Sequence, residues 1–150
     1  MLENPKILLI DFHNTIAPTS RSISKIFASV IARSYPNTDD QALANCYLNL
    51  VGTTLREEVR QGLEIAGCKK PSPAEVFRLS NTIWNELVKL KIKPFRGLAS
   101  ELRRLKKQGW KIFISTDNPQ RVAEKMPSIV SLKGIFDGCL GQEPNQESIR

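Results

Sequence analysis

Residues 6–19 read KILLIDFHNTIAPT. The aliphatic run Ile7–Ile10 stops at Asp11, and His13, Asn14 and Thr15 follow within four positions. A short, continuous apolar run is the pattern of a parallel strand covered on both faces. A lone carboxylate at a strand end is most simply a turn or cap residue. An imidazole, an amide and a hydroxyl crowded onto the next turn make Asp11 a candidate reaction centre instead, and the rest of the chain has to decide.

A second stretch bears on that choice. In WKIFISTDNPQ, residues 110–120, an apolar strand is expected to end at Thr116, with Asn118 capping and Pro119 opening a helix that Pro127 ends. Ligands of open parallel sheets lie outside the carboxyl ends of the strands. Asp11 and Thr116 are therefore expected on one crevice, with the first N–H groups of the helix after Asn118 favouring an anion such as phosphate. Asp117 orients substrate or caps the helix, and His13 donates a proton or packs the loop. Asn14 suits a left-handed backbone, and Thr15 closes the turn through its hydroxyl.

Between the strands the pattern is helical. Ile23, Ile26, Phe27, Val30 and Ile31 share one helix face after Ser20 or Ser22, and residues 39–50 and 54–66 give two more helices. Ser72, Pro73 and Glu75 form a capping box for a helix presenting Val76, Leu79, Ile83, Leu87 and Leu90. Leu98, Leu102 and Leu105 line a further helix that stops at Gly109, and GIFDGCLG holds a third short strand. A parallel crossover needs only ~10–12 residues. Residues 19–92 far exceed that, so they are expected to form an inserted lid. Arg56, between lid helices, reaches a substrate anion or serves at the surface. Trp84 and Trp110 are packing residues.

ILLIDFHNTI, PFRGLASELRRLKKQGWKIFISTDNPQ and IFDGCLG together resemble, in order and spacing, the haloacid dehalogenase-like hydrolase superfamily, in particular its phosphoglycolate phosphatase-like branch. The resemblance implies an α/β fold: a Rossmann-like parallel sheet, C-terminally incomplete, from residues 1–18 and 93–150, with an all-helical cap at 19–92. It implies that Asp11 is the nucleophile, forming an aspartyl-phosphate, and also a Mg²⁺ ligand. The backbone carbonyl of His13 would be the second metal ligand, and Thr116 would bind phosphoryl oxygens. Asp117, Asn118 and Arg56 are the further candidates for holding phosphate or substrate, which would be a small phosphorylated metabolite.

Two departures accompany the resemblance. His13 stands where the family's phosphatases carry a second Asp for proton transfer. The family's third motif, a Lys, and its fourth, an acidic pair, are expected beyond GCLGQEPNQESI, and the sequence reaches Arg150 without them. The strand bearing that pair would lie beside the first, so ILLI is expected at a sheet edge open to a protein partner or to self-association. A fragment of a longer hydrolase, an edge covered by another chain and a degenerate family member all remain open. So do two rivals to phosphatase chemistry: metal-free attack of Asp11 on carbon to release halide, and a silent module that binds a partner.

Bulk properties narrow the classes further. The 150 residues are 41% hydrophobic and 25% charged, an ordinary globular composition. No apolar run approaches the roughly 20 residues that span a bilayer and no secretory leader is visible, so a soluble, cytoplasmic protein is expected. Cys46, Cys68 and Cys139 show no C-x-x-C pairing and read as reduced thiols. The net charge of +7 is concentrated in residues 89–111, where nine Lys or Arg face only Glu101. That stripe lacks interleaved aromatics, which favours a solvated helix face over nucleic-acid binding.

Overall fold

Residues 5–50 and 52–142 are described by the computed structural model and fall into two units. One comprises Met1–Pro18 with Leu90–Arg150, the other Thr19–Lys89.

Three parallel strands form the sheet of the first unit. They are β1 (Ile7–Asp11), β2 (Lys111–Pro119) and β3 (Gly138–Gln142), in the order β1-β2-β3. A helix α5 (Leu98–Lys107) precedes β2, and two single turns, α6 (Gln120–Ala123) and α7 (Met126–Ile129), precede β3. Gly109, at φ 83°, ends α5 as its sequence predicts: its N–H bonds the Lys106 carbonyl, and that of Trp110 bonds the Leu105 carbonyl. This is the paired closure that a left-handed residue permits. Asp137 then ties three elements together, its carboxylate accepting from the Ile112 N–H at 2.7 Å and from Lys106 Nζ at 2.6 Å. The bond from Lys106, then that from the Ile112 N–H, holds its pKa at about 2. Lys106 and Lys111 pair with Asp137, Arg104 with Glu101 and Lys89 with Glu86, so part of the basic stripe is neutralised locally.

The two faces of the sheet differ sharply. Right-handed connections that step in the same direction along a sheet lay their helices on one face. On that face Ile112 and Ile114 are fully buried, together with Leu102 of α5, Val122 of α6 and Met126 of α7. The opposite face carries Ile7, Leu9 and Leu140, exposed by 53, 58 and 49%. β1 is an edge strand, and its alternate residues stand out on this open face.

The second unit is all-helical: α1 (Ser20–Ser34), α2 (Asp40–Asn49), α3 (Leu55–Ile65) and α4 (Pro73–Leu87). Phe27 and Ile31 of α1, Leu43 of α2, Leu63 of α3 and Leu79 and Ile83 of α4 are its buried centre. Asp39, Thr54 and Ser72 cap α2, α3 and α4 through their side-chain oxygens. Two cap expectations need correction. Thr19, not Ser20 or Ser22, sits at the N-cap of α1, and it makes no side-chain cap bond. The box at Ser72 forms by half: the Glu75 carboxylate accepts from the Tyr35 hydroxyl at 2.9 Å, a partner supplied by another helix. Trp84 packs as expected, but Leu90 lies beyond the end of α4.

Within this unit Glu58 is 8% exposed. Burial raises its pKa to about 7, opposed by a hydrogen bond from Thr53. The three cysteines are free thiols, and no helix among the described residues is long and apolar enough to cross a membrane.

Two outcomes follow for stability. Ile114→Ala removes a fully buried side chain and should cost about 2–4 kcal/mol in urea unfolding, whereas Leu9→Ala, on the open face, should cost under about 1 kcal/mol. The folded-state pKa of Glu58 lies above its unfolded value, so its contribution to stability is complete below about pH 4.5 and is lost as pH rises through about 7. Glu58→Gln should flatten this part of the profile, gaining roughly 2–3 kcal/mol relative to wild type at pH 8 and little at pH 4. Thermal unfolding across that range measures it.

Candidate active site

The site grows from the carboxyl end of β1. Phe12, fully buried, anchors the chain just past the strand and leaves Asp11 exposed and His13 half-buried on either side of it. The turn continues through Asn14, at φ 55°, the left-handed backbone that an Asn tolerates. The Asn14 N–H bonds the Ala17 carbonyl at 2.9 Å, and Ile16, fully buried, pins the far side of the turn. Thr15 does more than close this turn: its hydroxyl donates to Asp11 Oδ2 at 3.2 Å. The i,i+4 spacing of Asp11 and Thr15 is the sequence signal for this local bond.

Parallel pairing sets Asp11 level with Ser115, so Thr116 is the next residue at the same end of the adjacent strand. Here the structure corrects the sequence. β2 does not stop at Thr116 but runs to Pro119, with an irregularity in its pairing to β3 between Ser115 and Pro119. Irregular ladders of this kind re-aim side chains and recur beside active sites. No helix begins at Asn118. Pro119, in extended conformation, stands at the N-cap of α6 without a side-chain cap bond, and Pro127 opens α7 where it was expected to end a single helix. Lacking an N–H, Pro127 is suited to a first turn rather than to the interior of a continuous one. A four-residue turn has no developed dipole, so the expectation of a helix N-terminus facing an anion is withdrawn.

The amide of Asn118 is used differently. Its Nδ2 lies 3.0 Å from Thr116 Oγ1 and 2.7 Å from His13 Nε2, and its backbone N–H lies 3.3 Å from the same Thr116 oxygen. Four of the expected residues, Asp11, His13, Thr116 and Asn118, are thus gathered by backbone register and this network. Asp117 is exposed, and its charge reaches His13. Burial lowers the His13 pKa, while the negative charges of Asp11 and then Asp117 pull it back up. Arg56 belongs to the other unit, where its guanidinium lies 5.2 Å from the centre of the Phe77 ring.

Two residues that sequence patterns did not single out support the site from below. The Gln120 side chain clamps β3, donating to the Cys139 carbonyl at 3.0 Å and accepting from the Gly141 N–H at 2.7 Å. A Cβ on Gly141 would lie 2.7 Å from both the Asn118 carbonyl oxygen and Gln120 Cα, so only glycine lets β3 pass this close.

As for a metal, no cluster of three His, Cys, Asp or Glu occurs among the described residues. Mg²⁺ is ordinarily held by one or two carboxylates, with water and phosphate oxygens completing an octahedron. Asp11 and a backbone carbonyl such as that of His13 fit such a partial set, with Asp117 nearby as a further carboxylate.

The profile of the haloacid dehalogenase-like hydrolase family matches residues 8–148. Among solved structures, a predicted phosphoglycolate phosphatase from Haemophilus somnus 129PT superposes with a TM-score of 0.70 at 14% identity, covering 94% of this chain and 64% of that one. A haloacid dehalogenase-like family protein from Streptococcus pneumoniae gives 0.66 at 17% identity over 93% and 62%. A substituted form of CbbY from Rhodobacter sphaeroides, in complex with xylulose-1,5-bisphosphate, gives 0.65 at 19% over 92% and 64%. The chain therefore spans less than two thirds of the length of these relatives. No curated protein sequence matches it.

Gly141→Ala tests the support beneath the site. It forces backbone apart at Asn118 and Gln120 and should cost about 1–3 kcal/mol, with amide shifts concentrated at residues 116–120. Gly138→Ala meets only the Phe113 ring, at 3.1 Å, and should cost less than half as much in the same denaturant titration.

Proposed function

The chain belongs to the haloacid dehalogenase-like hydrolase family, and from that membership we propose that it serves phosphatase-type hydrolysis of a small phosphorylated metabolite in the cytoplasm, centred on Asp11. The observation that supports this most is the parallel register of β1 with β2, which aligns Asp11 with Ser115 one residue short of Thr116. A neighbouring fold, CbbY, is described with a sugar bisphosphate, which agrees with a substrate of that class.

In this proposal an Asp11 carboxylate oxygen attacks phosphorus, the P–O bond to the substrate alcohol breaks, and an aspartyl-phosphate forms. Water then attacks phosphorus, releasing inorganic phosphate and restoring the carboxylate. Two easier displacements replace one difficult one. Thr15 orients Asp11 through its hydroxyl. Thr116 binds a phosphoryl oxygen, and Asp117 and Asn118 flank it. His13 stands two residues past the nucleophile, where the leaving alcohol needs a proton. Arg56 is assigned to substrate contact, residues 19–92 to a helical cap, and residues 1–18 and 93–150 to the core. Mg²⁺, held by Asp11 and the His13 carbonyl, would neutralise charge on the transferring group when bound.

A second proposal has one observation in its favour. His13 is an imidazole whose pKa is lowered by its burial, a poorer proton donor at neutral pH than its family position demands. That favours a module with little turnover, acting through a protein partner or self-association at the open face and edge of β1.

Hydrolysis of p-nitrophenyl phosphate separates these proposals. With 5 to 10 mM Mg²⁺ as a rough working range, wild type should release nitrophenol, and Asp11→Asn should lose at least about 10³-fold in kcat/KM. EDTA should abolish the rate. Activity that survives Asp11→Asn removes Asp11 from the mechanism. Chloride release from a 2-haloacid that persists in EDTA would replace phosphorus with carbon as the electrophile. An inert wild type favours the partner-binding module.

A further inference from the structure

Asn118 sits between the two candidate groups whose hydrogen-bonding polarity matters most for a bound anion. Its side-chain NH₂ has two hydrogens and two acceptors in reach, Thr116 Oγ1 at 3.0 Å and His13 Nε2 at 2.7 Å. Thr116 Oγ1 also accepts the Asn118 backbone N–H at 3.3 Å. A hydroxyl oxygen has two lone pairs and one hydrogen. Both lone pairs of Thr116 are occupied by Asn118, so its hydrogen is left to donate. A ring nitrogen that accepts cannot itself carry a hydrogen, so the proton of the neutral imidazole resides on Nδ1. A helix-capping role for Asn118, the simpler account of its position, is excluded because α6 starts after Pro119 with no side-chain cap.

We propose that Asn118 is a positioning residue that fixes the polarity of the whole group: it holds His13 as the Nδ1–H tautomer and turns the Thr116 hydroxyl into a dedicated donor for a phosphoryl oxygen. This deepens the phosphatase reading and rests on it for the identity of the ligand, though not for the polarity itself. His13 Nε2 then serves as the anchor for Asn118. The arrangement uses two side chains 105 positions apart in sequence. It gives His13 a task that a carboxylate at position 13 could also perform as an acceptor, but without carrying a negative charge into the anion site.

His13 is the only histidine in the chain, so the imidazole region of a long-range ¹H–¹⁵N spectrum reports on this ring alone. Recorded at pH 8, where the ring is neutral, wild type should show Nε2 as the unprotonated, hydrogen-bonded nitrogen and Nδ1 as the protonated one. Asn118→Asp keeps the shape and inverts the polarity, because a carboxylate only accepts. It should convert the ring to the Nε2–H form and turn the Thr116 hydroxyl inward, weakening inorganic phosphate binding by at least about tenfold. Asn118→Ala, folded by its own amide spectrum, should give a tautomer mixture without adding charge.

An Nε2–H ring in wild type, or a tautomer unmoved in both variants, overturns the proposal. A wild type that holds the Nδ1–H form but takes up no inorganic phosphate supports the polarity assignment and counts against the phosphate site. The two failures are thereby told apart.

Discussion

The parallel pairing of β1 with β2 is the constraint on which the rest of the molecule depends. Ile7 to Asp11 align with Lys111 to Ser115, one residue to one residue, although the helical unit intervenes in sequence. A slip of one position would send every β1 side chain to the other face, taking Asp11 out of line with the polar end of β2. The register is held from below by Ile112 and Ile114, which are fully buried, and by Asp137, which accepts the Ile112 N–H and pairs with Lys106. Stability and chemistry thus share a cause: the apolar residues that fix the ladder also fix where the carboxylate stands.

Above that ladder the polar groups form two small networks. Thr15 holds Asp11 from within the same turn, and Asn118 joins His13 to Thr116 across strands. Both depend on backbone that leaves regular structure, the left-handed Asn14 in one and the irregular pairing between Ser115 and Pro119 in the other. Gln120 and Gly141 hold the second irregularity in place. Phe12 is fully buried and lies edge-on to the His13 ring at 5.3 Å.

What could be read beforehand was local. The aliphatic runs, the Ser72–Pro73 helix start and the Gly109 stop are decided by residues within one turn of each other, and each forms where its sequence predicts. Family resemblance, resting on several such stretches at once, agrees with the match over residues 8–148 and with the parallel fold. Patterns failed where a distant partner competes for a side chain. Glu75 takes the Tyr35 hydroxyl in place of its own helix start, and Asn118 takes His13 and Thr116 in place of a cap. Without that cap, and with prolines at 119 and 127, one expected helix becomes two turns. Neither competition leaves a trace in sequence spacing.

The ladder between β1 and β2 also dictates an order of events during synthesis. Its partners are separated by about a hundred residues, and contacts of such long range close slowly, whereas helical units with near-neighbour contacts assemble fast. Ribosomal emergence runs from the N-terminus. The ILLI segment therefore waits, unpaired, while α1 to α4 are made and collapse, and it meets β2 only after Lys111 to Ser115 appear. During that interval an unpaired aliphatic strand, with Ile7 and Leu9 on it, is open to association with other chains.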